Sequence, residues 1–270
     1  MPATPIVLHH GLLGHGEWHF GPFTWEYFHE IGRAIAARGY PLLTTSVHPT
    51  AGIETRARQL KDAILARFPM PPQSQDRIVI IAHSMGGLDA RHMLTHLGMA
   101  DYVAALVTIC TPHRGSTYAD WVLRHVGQRL RGLRLMEYLN VDFQALADLT
   151  TDNCRRFNDV TPDMPNIAYM SVAASHPMRL MPPFAIHSWQ IIYRVEGDND
   201  GLVSVKSATW ADRLAIWPAD HWQSINRRFL PPWVDPAETS ITPFYMRVLD
   251  MLEERGKLSR KPAPLQAASA

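Results

Sequence analysis

Cysteine is scarce: Cys110 and Cys154 are the two thiols in 270 residues, too few for a disulfide framework. Cys110 closes the apolar run from Val103, where a buried free thiol is expected. Surplus charge is missing too. The 26 basic and 25 acidic side chains leave a formal net charge of +1, without the clustered basic excess of a nucleic-acid binder, so no nucleic-acid partner is expected. No apolar run approaches the ~20 residues that cross a bilayer, so no transmembrane segment is expected. The chain reaches an apolar strand at Ile6-Val7-Leu8 without the charged and then apolar regions of a leader. That leads us to expect a cytoplasmic protein, or a mature form whose leader has been removed. Its 14 histidines do not fall, with cysteine or carboxylate, into the spaced cluster of a zinc site, and neither metal nor cofactor is expected. No internal repeat is found.

What is present is an alternation. Strand-like runs at Ile6 to His9, Pro41 to Ser46, Ile78 to Ala82 and Val103 to Ile109 are separated by helical patterns over Tyr27 to Arg38, Glu54 to Phe68 and the stretch after Ser84. This predicts an α/β fold with a mostly parallel central sheet and helices on both faces. One domain over residues 1–255 is expected, with a cap or lid inserted at about 117–188, where the alternation lapses, and a disordered tail over 256–270 rich in Lys, Pro, Ser and Ala. Inside the insertion, Val122, Val126, Leu130, Leu133 and Met136 recur at helical spacing while Arg124, Arg129, Arg131 and Arg134 occupy other faces. That pattern fits a plain amphipathic surface helix as well as a lid with an apolar underside. Later come a strand over Ile167 to Val172, the apolar loop Pro177 to Phe184, a short strand at Leu214 to Trp217 and a helix from Thr242 to Arg255.

The segment Val79-Ile80-Ile81-Ala82-His83-Ser84-Met85-Gly86-Gly87 carries the chemistry. A buried strand runs into a serine with small residues two positions either side, and a helix with apolar positions at Leu88, Met93, Leu94 and Leu97 follows. A strand-to-helix turn sharp enough to raise a serine hydroxyl above the sheet has no room for larger flanks, so this is the pattern of a nucleophile elbow. Serine needs a histidine to take its proton and a carboxylate to orient that histidine. In this fold the acid and then the histidine should follow the serine along the chain. Of the histidines, His221 alone lies beyond the acid candidates Asp198 and Asp200, which share the turn-rich loop Glu196 to Ser204. The oxyanion donors should be the N–H of Met85 and one from the loop after the first strand.

The segments His10-Gly11-Leu12, Ala82 to Arg91, Thr111-Pro112-His113-Arg114-Gly115-Ser116 and Asp200-Gly201-Leu202-Val203 together resemble the bacterial and fungal true lipases of the α/β-hydrolase superfamily. The resemblance covers most of residues 5–230 and is weakest in the cap. It implies that the acid is Asp200 and that the second oxyanion donor is Leu12, with His10 anchoring the oxyanion loop and His113 and Arg114 bracing the loop beneath the elbow. Two positions depart from the Pseudomonas-type members. Gln223 stands where an aspartate holds calcium, and Lys206 where a cysteine forms a disulfide. The expectation is therefore a serine carboxylester hydrolase that acts without metal or cofactor on a small-molecule or lipid ester. Trp121, Leu130, Leu133, Met136, Met181 and Phe184 are the candidate acyl contacts, and the cap is a candidate for transient contact with a lipid interface. Thioester, lactone or polyester cleavage by the same residues stays open, as does a non-catalytic binding role, because fold does not choose a substrate.

Overall fold

Period-two alternation decides how the central strands pack. In β1 (Ile6–His9) and β5 (Ile78–His83), Ile6, Leu8, Val79 and Ile81 enter one core while Val7, Ile78, Ile80 and Ala82 enter another, since successive side chains of a strand point to opposite faces. The computed structural model describes residues 3–20, 23–69, 77–126, 143–229 and 239–260. Its six-stranded sheet runs in the order β4 (Leu42–Thr44), β1, β5, β6 (Val103–Ile109), β7 (Ala168–Ala174), β8 (Asp212–Trp217), and these pairings are all parallel. A parallel sheet needs cover on both faces. Helices α1 (Ile31–Ala37) and α9 (Thr242–Glu254) supply it on one side through Ile31, Ile35, Tyr245 and Leu249. On the other, α2 (Ile53–Arg67) and α3 (Gly86–His96) bury Leu60, Ile64, Met93 and Leu94. Each such side chain contributes roughly 1.5–3 kcal/mol by leaving water.

Several boundaries differ from the sequence expectation, each for a local reason. The helix expected from Tyr27 begins at Ile31, because Glu30 has a left-handed backbone, φ 63°, which a right-handed helix does not accommodate. Residues before it form an antiparallel hairpin, β2 (Glu17–Phe20) with β3 (Phe23–Glu26), that was not expected. The segment set apart as a cap contains α4 (Thr117–Val126), α5 (Phe143–Asp148) and α6 (Thr151–Val160), but also β7, which pairs between β6 and β8 and so belongs to the sheet. After β7 come α7 (Ile186–Glu196) and the short α8 (Val205–Ala208). Nor is the start of the tail loose: Leu258 is buried in the core, and the Ser259 N–H donates to Thr4 Oγ1 at 3.0 Å. The rest of it, 261–270, lies outside the described residues, as do Leu130, Leu133 and Met136. Among the described residues no helix is long and apolar enough to cross a membrane.

Candidate active site

Ser84 ends β5 in a left-handed conformation, φ 55°, at the turn into α3. A non-glycine residue there is strained, and its surroundings hold it: the Ser84 N–H donates to the Ile109 carbonyl at 2.8 Å, and Thr111 Oγ1 donates to the Ser84 carbonyl at 2.7 Å. The small neighbours are a packing requirement. A Cβ on Gly86 would fall 2.7 Å from the His10 carbonyl oxygen, and one on Gly87 2.2 Å from Thr111 Oγ1.

His221 lies between serine and acid. Its Nε2 is 3.0 Å from Ser84 Oγ and its Nδ1 2.7 Å from Asp200 Oδ2. The tautomer follows: Nδ1–H donates to the carboxylate, which leaves Nε2 to accept from the serine hydroxyl. Asp200 is itself fixed, since its Oδ1 accepts from the N–H groups of Leu202 at 2.9 Å and Val203 at 2.7 Å, and its carbonyl accepts from His221 N–H at 2.8 Å. Gly201, at φ +99°, makes that turn possible. Asp198, the other candidate acid, is exposed.

The loop after β1 is held from below by a buried ion pair. Arg56 Nε donates to Asp89 Oδ2 at 2.8 Å with both side chains fully buried, and Arg56 Nη2 donates to the carbonyls of His10 at 2.7 Å and Gly11 at 3.2 Å. Across a trans peptide the N–H points away from the C=O, so holding the Gly11 carbonyl down turns the Leu12 N–H the other way. Among the described residues neither the Leu12 nor the Met85 N–H finds an acceptor. His10 ties the loop to Val47, whose N–H donates to its Nε2 at 3.0 Å. Burial, then His9 and Arg56, lower its pKa to about 2, so it stays neutral. His113 is buried against Trp210, and Arg114 Nη1 donates to the Lys206 carbonyl at 2.9 Å, tying down the loop where the expected cysteine is absent. Gln223 is also buried, its Nε2 donating to the Thr239 carbonyl at 3.3 Å.

A cavity of about 360 Å³ opens above Ser84 and His221, walled by Leu12, Tyr118, Leu146, Leu149, Leu202 and Val203 among others. The described acyl-contact candidates lie elsewhere. Met181 is buried beneath Gly201, Trp121 stacks on Tyr118 and His125, and Phe184 stands 58 % exposed with its edge on Trp222 and Phe229. Residue type marked these side chains as apolar, Trp121 in the cap and Met181 and Phe184 in the loop after β7, but it did not carry the direction in which the packed chain presents them. His83, Cys110 and His221 bring ligand-type atoms within 4.8 Å of one another, yet both nitrogens of each imidazole are already hydrogen-bonded. The Arg56–Asp89 pair went unread because its members, 33 residues apart, meet only when α2 packs on α3. Burial of a charged pair was its one signal, and a sequence does not display it.

A parallel sheet whose central strand ends in a strained serine, followed along the chain by an aspartate and a histidine, defines an α/β-hydrolase. Comparison with known proteins narrows the class. Residues 52–157 match the PGAP1-like alpha/beta domain family. The chain is 33 % identical over 248 residues to triacylglycerol lipase 2 of Saccharomyces cerevisiae, covering 86 % of this chain and 74 % of that protein. Similar folds are seen in mature Bacillus licheniformis lipase BlEst2, with TM-score 0.68 and 22 % identity over 92 % of this chain and 94 % of that one. Staphylococcus hyicus lipase has TM-score 0.71 and 18 % identity over 93 % and 95 %. The chain belongs to the lipase family of α/β-hydrolases and is a carboxylic ester hydrolase of the lipase/esterase type.

Proposed function

We propose that Ser84, His221 and Asp200 form the catalytic triad of this hydrolase and that it cleaves apolar carboxylic esters, acylglycerols first among them. One observation carries the reading: a single imidazole bridges the serine hydroxyl at 3.0 Å and a buried carboxylate at 2.7 Å, at the floor of an apolar cavity. In the proposed mechanism Ser84 Oγ attacks the ester carbonyl as its proton passes to His221 Nε2. Asp200 steadies the resulting imidazolium, while the N–H groups of Met85 and Leu12 receive the developing oxyanion at the N-terminus of α3, where the helix dipole favours negative charge. The alcohol departs with the proton from His221, and water deprotonated by the same nitrogen then splits the acyl-enzyme.

The leucines and valine of the cavity wall offer an acyl chain burial and little polar recognition, which supports an apolar acyl group. The name of the yeast relative supports acylglycerols. Around the mouth, Leu13, Phe184 and Phe229 are 64 %, 58 % and 45 % exposed, and such an exposed apolar rim supports transient contact with a lipid surface.

Hydrolysis of p-nitrophenyl esters from acetate to palmitate, by the wild type and Ser84→Ala, tests this. Turnover should fall by on the order of 10⁴-fold or more in the variant, with butyrate and longer esters preferred to acetate. Equal rates in the two proteins would remove Ser84 from the reaction; preference for acetate would remove the apolar-acyl assignment.

A further inference from the structure

Four hydrogen bonds run in series through the residue before the nucleophile. Gly11 N–H donates to Tyr27 Oη at 3.2 Å, Tyr27 Oη pairs with His83 Nδ1 at 2.8 Å, His83 Nε2 with Ser224 Oγ at 2.8 Å, and Ser224 Oγ donates to the His221 carbonyl at 2.7 Å. Donor inventory makes the direction unique. With its proton on the His221 carbonyl, Ser224 Oγ accepts from His83 Nε2–H. That leaves Nδ1 bare to accept the Tyr27 hydroxyl proton, and the phenol oxygen is then free to accept from Gly11. Three separated parts of the chain are joined this way: the oxyanion loop, the elbow, and the turn that carries His221.

We propose that His83 is a positioning residue that locks the oxyanion loop and the His221 turn into one rigid unit, so that the oxyanion donors and the general base keep their mutual distance. The inference rests on the triad assignment above. Both ends of the series touch the reacting geometry. A Cβ on Gly11 would fall 2.6 Å from Ser84 Cβ, so the loop lies directly against the nucleophile. At the other end the turn is braced again by Tyr245 Oη, which donates to the Ser224 carbonyl at 3.0 Å. Displacements of about 1 Å in such a constellation cost on the order of 10²-fold in rate. The lock holds across the working pH range. Burial, then His221, keeps His83 neutral, with one donor and one acceptor nitrogen. Burial likewise keeps Tyr27 a phenol. A neutral ring matters for a second reason: its centroid is 4.7 Å from that of His221, where a second positive charge would oppose the imidazolium.

The test is a double-mutant cycle on the full chain with the near-isosteric Tyr27→Phe and Ser224→Ala, read as the second-order rate of fluorophosphonate labelling and as kcat on p-nitrophenyl butyrate, with thermal midpoints measured alongside. Each single change should lower both rates about tenfold with KM nearly constant. Together they should also give about tenfold, because either break already interrupts the series. His83→Gln keeps a donor toward Ser224, and His83→Asn an acceptor toward Tyr27. Glutamine should therefore add no loss in the Tyr27→Phe background, nor asparagine in the Ser224→Ala background. Losses that multiply to about a hundredfold, or lower midpoints with unchanged rates, would overturn the lock while leaving the triad in place. Labelling of Ser84→Ala as fast as wild type would instead overturn the triad assignment.

Discussion

Two aspartates near the proposed base differ only in what surrounds them. Asp200 is buried, accepts from two backbone N–H groups and reaches His221, whereas Asp198 is exposed. Asp200→Asn should lower kcat by on the order of 10⁴-fold by reversing the tautomer preference of His221, and Asp198→Asn should leave it within about twofold; ester kinetics in which the two effects were exchanged would reassign the acid. Asp220 is a third case. Its Oδ1 accepts from Trp222 and Gln223 N–H, but its buried Oδ2 has no partner among the described residues, and burial above all raises its pKa from 3.8 to about 6. A carboxyl whose folded pKa lies above its unfolded one opposes folding once ionised, from about pH 4 upward and fully above about pH 6. Asp220→Asn should thus stabilise the protein by about 2 kcal/mol at about pH 8, a gain that fades below about pH 4; urea midpoints at the two pH values check it, and a pH-independent difference would refute it. At this scale Ser84 and His221 were legible because chain order and strand context single them out. Tyr27 and Ser224 were not, since a hydroxyl in a turn carries no motif.

Elements show where steric rules written in the sequence become architecture. The turn from β5 into α3 works only while the loop after β1 lies flat against it, and Gly86 is the contact: a Cβ there meets His10 O at 2.7 Å and His9 O at 3.0 Å. Both are backbone atoms, His9 O at the end of β1 and His10 O in the loop that Arg56 pins. Gly86→Ala should therefore cost about 2–4 kcal/mol in stability and a larger share of activity, because the strain is relieved only by moving the proposed oxyanion loop. Chemical denaturation beside ester kinetics would show this; a variant with wild-type stability and turnover would mean the loop has slack that the distances do not allow. The strands and covering helices were legible at this scale because their periodicities are strong. The hairpin of β2 and β3 was not, nor was the left-handed Glu30 that delays α1, because turns depend on single backbone angles that many sequences can adopt.

For the whole molecule, the buried histidines set the response to acid. His9, His10, His83 and His113 all have pKa values lowered chiefly by burial, so the folded chain leaves them neutral where the unfolded chain would protonate them. Their contribution to stability is complete above about pH 6.5 and is lost as pH falls below it. Unfolding at about pH 5 should take up more than one proton net, even after the release expected from Asp220; calorimetry in buffers of different ionisation enthalpy measures this, and zero net uptake would contradict it. By itself the sequence determined the parallel α/β layering and the serine at the elbow, because alternation, helical spacing and the steric demand for small flanking residues are local properties. It also ordered the acid and base candidates along the chain. Only the tertiary structure decided which carboxylate reaches His221, that Arg56 and Asp89 pair beneath the loop after β1, and that Met181 and Trp121 are not among the residues lining the cavity. Each depends on the relative placement of segments far apart in the chain, through contacts made only once the sheet, its helices and the covering helices have packed.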